Sequence, residues 1–286
     1  MVLKDVIFNN PHIDCIEYKG HQIGVLRLDQ LHKDVSGNKW FKLKYNLEQA
    51  QLENKNTILT FGGAYSNHIA ATVAACKLAG LKSIGIIRGE ESSVANSTLS
   101  IAKEKGMQLV FVSREEYKQK TEILYLQNLQ EKFPYAYMIP EGGDNALGQK
   151  GCEEVLSNST STYDLIFCAY GTGTTFKGIA KSLLPHQELV AINVLKYEAT
   201  CELLKSSINN EYHFGGYAKH THELLKFKTW FETTYHIPLD YVYTAKLMYA
   251  VFDFMKQHKF SKEKKILIIH SGGLQGNRGY EERYGI

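Results

Sequence analysis

The stretch LIFCAYGTGTTFKG, residues 165–178, indicates the fold class of this chain. An apolar run ends in a glycine-bearing turn, and the turn leads into a segment with helical spacing. The same arrangement recurs in ILTFGGAYSNH at 58–68 and in ILIIHSGGLQG at 266–276. Ligands of open α/β sheets bind at the carboxyl ends of strands, so three such turns predict one shared site. For any single turn, glycines that merely permit a tight connection explain the pattern equally well.

Short β-branched runs alternate with longer helical patterns along the chain, which predicts mainly parallel strands covered by helices on both faces. The predicted strands are residues 57–61, 83–88, 108–112, 164–169, 188–195 and 265–270. The predicted helices are residues 66–79, 94–105, 115–132, 174–184 and 245–258. The predicted fold class is therefore α/β.

Composition narrows the possible partners and the compartment. The chain has 286 residues, 44% of them hydrophobic, and a formal net charge of +3 without a basic tract, so neither a nucleic-acid nor a membrane partner is predicted. Its five cysteines are scattered without a Cys-x-x-Cys pair, which predicts no disulfide framework and no metal site. The first residues, MVLKDVIFNNPHIDC, lack the apolar core of a signal peptide. A cytoplasmic protein is expected.

The turn after the run 165–170 has the features of a phosphate site. It consists of Gly171, Thr172, Gly173, Thr174 and Thr175 and opens a helix whose free amides and dipole attract anions. Glycines let the backbone approach a phosphate closely, and the threonine hydroxyls add donors. The run matches neither the dinucleotide nor the Walker glycine pattern, so it indicates a small monophosphate, with a plain βα turn as the alternative.

Two lysines, Lys39 and Lys42, lie three residues apart in SGNKWFKL, residues 36–43. At helical spacing they share nearly the same face. A lysine that is buried near another cation has a lowered pKa and supplies the neutral amine that a Schiff base needs. The alternative is a pair of solvated lysines on a surface helix.

The segment GGAYSNH, residues 62–68, places the side chains of Ser66, Asn67 and His68 at the start of a helix, where backbone amides also point outward. It is a candidate site for a substrate carboxylate. The alternative is a capping turn, with Ser66 or Asn67 as the N-cap.

Together these segments resemble the fold type II enzymes that use pyridoxal 5′-phosphate (PLP), within them the branch of D-cysteine desulfhydrase and 1-aminocyclopropane-1-carboxylate (ACC) deaminase. The resemblance covers most of the chain, with its motifs in the family's order. They are SGNKWFKLKYNL, TFGGAYSNHIAATVAA, IGIIRGE, MIPEGGDNALGQKG, CAYGTGTTFKGIA, PLDYVYTAKLM and IIHSGGLQG. The resemblance implies a tryptophan synthase beta-like fold with two open, mainly parallel twisted sheets and the cofactor between two lobes.

The resemblance also implies roles for individual residues. Lys39 would form the Schiff base with PLP, Lys42 would neutralise its phosphate, and the run 171–175 would form the phosphate loop. Asn67 would bind the phenolic oxygen of the pyridine ring, and Ser66 would contact the substrate carboxylate or take part in proton transfer.

Five positions bear on the activity that the resemblance implies. Tyr217 in FGGY and Tyr243 in DYVYT match two active-site tyrosines. Thr244 and Ser271 stand where ACC deaminases have glutamate and leucine, and His68 stands where they usually have glutamine. Hydroxyls near the cofactor ring imply β-elimination from D-cysteine to pyruvate, sulfide and ammonia. ACC deamination is the alternative, and a non-catalytic protein that binds PLP or another phosphorylated ligand is a more distant one.

The positions of these motifs along the chain predict a small domain, residues 46–145, inserted into a large domain of residues 1–45 and 146–286. The resemblance implies a homodimer acting on a small amino acid. The interval 195–217 is shorter than in the family, which leaves the identity of the substrate open.

Overall fold

The computed structural model describes residues 9–91, 97–257 and 260–286. Ten strands lie within them, numbered in chain order. They are β1 Ile13–Tyr18, β2 His21–Arg27, β3 Thr57–Gly62, β4 Lys82–Arg88, β5 Met107–Val112, β6 Ala136–Ile139, β7 Leu165–Tyr170, β8 Glu188–Asn193, β9 Ser206–Asn209 and β10 Ile266–His270.

Helices connect most of these strands. They are α1 Asn38–Leu52, α2 Asn67–Leu78, α3 Ser97–Glu104, α4 Arg114–Lys118, α5 Ile123–Lys132, α6 Ala146–Cys152, α7 Thr174–Lys181, α8 His222–Tyr235, α9 Thr244–Lys256 and α10 Asn277–Tyr284. No helix in the described ranges is long and apolar enough to cross a membrane.

The strands form two sheets. The larger has the order β1-β2-β10-β7-β8-β9, and the smaller has the order β5-β4-β3-β6. Only β1 is antiparallel to its neighbour in these described sheets; the other pairs are parallel. The predicted α/β class and the two mainly parallel sheets are confirmed.

Apolar side chains on both faces of the large sheet explain its uninterrupted hydrophobic strands. In β10, Ile266 and Ile268 join the cluster that packs against α8 and α9, whereas Leu267 and Ile269 join the cluster on the opposite face. Successive side chains of a strand point to opposite faces, so a strand covered on both sides must be apolar throughout.

Some predicted elements differ from the observed ones. The predicted helix 115–132 is two helices, because the chain turns between α4 and α5, where Glu122 N–H donates to the Gln119 carbonyl at 2.8 Å. Residues 94–96 of the predicted helix 94–105, and residue 258 of the predicted helix 245–258, lie outside the described residues. The antiparallel pair β1 and β2 was not predicted.

All four strands of the small sheet lie within the predicted small domain 46–145, and the strands of the large sheet lie outside it. The boundary at residue 46 falls inside α1, whose apolar residues contribute to clusters on both sides. The division into two domains stays a prediction.

Candidate functional site

A cavity of about 550 Å³ opens where the turns at the carboxyl ends of β3, β7 and β10 meet the start of α1. Its volume suits a cofactor together with a small substrate. Most of the predicted site residues line it. These are Lys39, Lys42, Ser66, Asn67, Gly171, Thr172, Gly173, Thr175, Tyr217, Tyr243 and Ser271. The two remaining ones, Thr174 and Thr244, lie behind the cavity wall and are fully buried.

Close backbone contact fixes the start of α1 against the turn after β10. Asn38 N–H donates to the Ser271 carbonyl at 3.0 Å. Gly37 precedes it with φ +70°, a conformation that favours glycine. This contact holds Lys39, the second residue of α1, at the cavity.

Lys39 lies at the cavity with its amine held by a neighbouring side chain. Its Nζ donates to Asn38 Oδ1 at 2.8 Å and lies 5.9 Å from the centroid of the Tyr243 ring. Asn38 is held in turn, because its Nδ2 donates to Thr175 Oγ1 at 2.9 Å. Loss of hydration, and then repulsion from the Lys42 ammonium, lower the pKa of Lys39 to about 7. About half of the amine is therefore neutral at pH 7.

Lys42 is a buried lysine whose N–H donors are available to an anion. It is 5% exposed, and its ammonium makes no ion pair or hydrogen bond to any described residue. Burial lowers its pKa from the ordinary lysine value. A buried charge is costly unless it is paired, so the arrangement favours a bound anion beside Lys42.

The predicted phosphate loop, residues 171–175, offers an anion backbone N–H groups and few free hydroxyls. Gly173 takes a left-handed conformation immediately before α7. Thr174 Oγ1 donates to Asp144 Oδ1 at 2.8 Å and also bonds Thr172 Oγ1 at 2.9 Å. Thr175 Oγ1 accepts from Asn38 Nδ2 and keeps its own proton, so this hydroxyl and the free amides at the start of α7 are the donors that the loop offers to an anion.

At the start of α2, both interpretations of Ser66 hold together. Ser66 Oγ caps the helix by accepting from Ile69 N–H at 3.3 Å, and the residue also lines the cavity. The Asn67 amide packs against the glycine turn after β10. A Cβ on Gly273 would lie 3.1 Å from Asn67 Nδ2, and one on Gly276 would lie 2.7 Å from Asn67 Oδ1. Glycine at these positions makes room for the amide.

His68 is a neutral histidine with one unused nitrogen. Its Nε2 lies 2.9 Å from Thr60 Oγ1, and that hydroxyl donates to the Ile139 carbonyl at 2.8 Å. The hydroxyl has a single proton, so Nε2 must be the donor to it. Nδ1 is then an acceptor, and it is buried without a partner among the residues that the structure describes. Loss of hydration and the two nearby lysines lower the pKa of His68 to about 3.

The two predicted tyrosines form an edge-to-face pair, with ring centroids 6.3 Å apart. Loss of hydration, then the Asp240 and Glu141 carboxylates, raise the pKa of Tyr217 to about 12. Burial, and then Tyr217, raise the pKa of Tyr243 well above 10. Water reaches Tyr217, which is 46% exposed, and weakens these effects there, but both hydroxyls remain protonated at neutral pH.

Sequence reasoning missed Asp240, a buried carboxylate that shapes the start of α9. It accepts from the N–H groups of Val242, Tyr243 and Thr244 at 2.9, 3.0 and 2.7 Å. Thr244 Oγ1 also donates to it at 2.8 Å, so this hydroxyl is committed to Asp240 and does not line the cavity. An aspartate just before a helical pattern is a capping signal that could have identified it.

Other lining residues were not singled out from the sequence either. They include Asn38, Arg88, Glu141 and Arg283.

The donor set fits PLP. An amine with a pKa of about 7 can form a Schiff base, a buried unpaired ammonium and free helix amides can hold a phosphate, and Gly142 and Gly171 leave space at the loop. A Cβ on Gly142 would lie 3.1 Å from the Thr172 methyl carbon, and one on Gly171 would lie 3.1 Å from the Tyr243 ring.

Comparison with known proteins gives the same family. The family model described as "Pyridoxal-phosphate dependent enzyme" matches residues 5–213. A Thermotoga maritima protein, provisionally named as a 1-aminocyclopropane-1-carboxylate deaminase, is 30% identical over 91% of both chains. The bifunctional D-cysteine desulfhydrase/1-aminocyclopropane-1-carboxylate deaminase of Arabidopsis thaliana is 28% identical over 90% of this chain and 73% of that protein.

A solved structure, described as an ACC deaminase homologue, superimposes with a TM-score of 0.80 at 27% identity, covering 98% of this chain and 94% of the other. The predicted family and the predicted cofactor are thereby confirmed. With a matching family model over most of its length and a relative 30% identical along nearly the whole chain, this protein belongs to the pyridoxal-phosphate dependent enzymes.

Proposed function

We propose that this enzyme eliminates and deaminates a small amino acid, with D-cysteine as the substrate and pyruvate, sulfide and ammonia as products. One observation carries the proposal. Lys39, with a pKa of about 7, lies in the same cavity as the buried, unpaired Lys42 and the glycine turn before α7. An amine, an anion site and a substrate-sized space are thus within one cavity.

In this proposal Lys39 would bind the cofactor covalently, and Lys42 with the free amides at the start of α7 would hold its phosphate. Asn67 would hydrogen-bond the ring oxygen. Ser271 lines the cavity, whereas the Thr244 hydroxyl is bound to Asp240, so of the two hydroxyls Ser271 would be the one available to the cofactor. Bound PLP supplies an electron sink that stabilises negative charge at the substrate α-carbon.

The protein's own groups then handle the protons. Once the substrate amine has replaced Lys39 on the cofactor, the freed Lys39 amine, partly neutral at pH 7, would take the α-proton at Nζ. Ser66 and the first amides of α2 hold the substrate carboxylate. Tyr217 and Tyr243 keep their protons at neutral pH, so one of them protonates the departing sulfur. The C–S bond breaks, and water converts the resulting 2-aminoacrylate into pyruvate and ammonia.

ACC deamination is the second candidate, because the relatives from Thermotoga maritima and Arabidopsis thaliana carry that activity in their names. Ser271, which lines the cavity, favours D-cysteine, since the resemblance associates leucine at this position with ACC deaminases. Thr244 stands where they have glutamate, but its hydroxyl is bound to Asp240.

A substrate panel separates the candidates. The purified holoenzyme is assayed for pyruvate or 2-oxobutyrate with D-cysteine, D-serine, 3-chloro-D-alanine and ACC, with Lys39→Ala as the inactive control. Turnover of D-cysteine with little turnover of ACC is expected. Turnover of ACC alone contradicts the desulfhydrase proposal, and a yellow protein without turnover of any compound indicates the non-catalytic alternative.

The proposal also includes a cytoplasmic homodimer. All five cysteines are free in the structure, as suits a reducing compartment, and the dimer rests on the family resemblance. Sedimentation equilibrium tests the dimer: a mass near twice 32.4 kDa is expected, and a monomer at micromolar concentration contradicts it.

A further inference from the structure

Lys246, on α9, is a buried lysine that the chemistry above does not use. It is fully buried, and no carboxylate among the described residues pairs with it. Its Nζ instead donates to the carbonyls of Gly216 at 2.7 Å and His213 at 2.8 Å, with the Val194 carbonyl further away at 3.5 Å. The three protons of the ammonium are thus directed at three backbone oxygens.

Two of these carbonyls, those of His213 and Gly216, belong to a strained loop that carries Tyr217. Around this residue, Phe214, Gly215, Gly216 and Ala218 have φ values of +50°, +90°, +106° and +52°. Left-handed backbone is unfavourable for side chains such as those of Phe214 and Ala218, so such a loop persists only where its surroundings hold it.

Helix α9 relates this loop to the other tyrosine of the site. Tyr243 immediately precedes α9, one turn before Lys246, and its ring lies 6.3 Å from the ring of Tyr217. Phe214 packs edge-on against Tyr249, one turn after Lys246, at 5.0 Å. The loop is therefore attached to the same helix on both sides of the lysine.

We infer that Lys246 is a positioning residue, whose ammonium holds the 213–217 loop so that Tyr217 faces Tyr243 across the cavity. The inference rests on the proposed function, because the position of the Tyr217 ring affects catalysis only if Tyr217 acts on the substrate. Methionine, which has no N–H, would remove the Lys246 donor from the carbonyls of His213 and Gly216, leave each with its backbone N–H donor alone, and release the loop.

The first test requires no catalysis. Hydrogen–deuterium exchange is measured on the holoenzyme for peptides that cover residues 210–220. In Lys246→Met the amides of Gly216 and Lys219, which close the two turns of the loop, should exchange at least about tenfold faster than in the wild type. Lys246→Gln, which retains two N–H donors, should lie between the two and serves if the methionine variant does not fold.

Phe231→Leu is the control, because Phe231 lies fully buried in the same hydrophobic cluster as much of α9 but on α8. It should lower the melting temperature and leave exchange in residues 210–220 unchanged. Unchanged exchange in both Lys246 variants, or equally fast exchange in Phe231→Leu, overturns the inference.

The second test is a double-mutant cycle with Tyr217→Phe, assayed with D-cysteine. Lys246→Met should lower kcat by about 10- to 100-fold, since small displacements of catalytic groups are costly. In the Tyr217→Phe background it should lower kcat little further, because the displaced hydroxyl is already absent. Fully additive losses contradict action through Tyr217. If no amino acid is turned over, the proposed function fails, and the exchange experiment still decides the role of Lys246.

Discussion

Gly37 lies so close to Ser271 that a Cβ at position 37 would come within 2.0 Å of the Ser271 carbonyl oxygen. The two residues are far apart in sequence, and their contact joins the start of α1 to the turn after β10. Lys39 follows two residues later. The placement of the proposed Schiff-base lysine therefore depends on the absence of a side chain at residue 37.

Gly37→Ala should displace the start of α1 and weaken PLP binding by at least about tenfold, measured by titration of the apoenzyme with PLP. Gly80→Ala is a matched control. Gly80 has nearly the same φ, +67° against +70°, but a Cβ there would meet no atom within 4 Å. Gly37 also has ψ −160°, a combination that only glycine readily adopts, so Gly37→Ala adds backbone strain as well as the clash. Equal PLP affinity in the two variants would contradict the proposed contact.

The pKa of Lys39 predicts a pH profile. Its amine is mostly charged below pH 7 and mostly neutral above it, because burial and the Lys42 ammonium lower the pKa to about 7. Competitive acetylation of the apoenzyme, read by mass spectrometry, should show Lys39 labelling rise through a midpoint near pH 7, against about 10.4 for a lysine in a model peptide.

Lys42→Met should move that midpoint upward, because it removes the repulsion that disfavours the charged form of Lys39. The same variant should bind PLP more weakly, since the phosphate loses its cation. A midpoint near 10 in the unaltered enzyme would show that Lys39 is an ordinary solvated lysine.

Asp240→Ala should destabilise the protein by about 3 kcal/mol in urea unfolding, because three N–H groups, one buried and two part-buried, lose their acceptor. Thr221→Ala provides the comparison. Thr221 caps α8 by accepting one hydrogen bond from Leu224 N–H at 3.2 Å, and loss of this bond should lower the free energy of unfolding by about 1 kcal/mol. A loss no greater for Asp240→Ala than for Thr221→Ala would mean that water replaces the carboxylate.

The core of the fold could be predicted because its strands and turns have local patterns that are recognisable in the sequence. The apolar runs of β3, β4, β7 and β10 are buried on both faces, and their glycine turns are short enough to be recognised. The antiparallel β1 and β2 were missed, since β1 lies at an edge and alternates exposed and buried residues irregularly. The break between α4 and α5 lacks a glycine or proline that would mark it.

The site could be predicted only in part for a similar reason. The glycine turns and the Lys39–Lys42 pair are continuous motifs, so they were found. The bond of Thr244 to Asp240, the unpartnered nitrogen of His68 and the three carbonyls around Lys246 depend on segments that meet only in the folded chain. The electrostatic environment of these side chains depends on how deeply they are buried. The spacing of residues in the sequence does not reveal that burial.

Borohydride reduction identifies the lysine that binds PLP, which we propose to be Lys39. The holoenzyme is reduced with borohydride, digested and analysed by mass spectrometry. We predict a single phosphopyridoxyl group on Lys39 and none in Lys39→Ala. A label on Lys42 or on any other lysine, or no label on a protein reconstituted with PLP, would contradict the account.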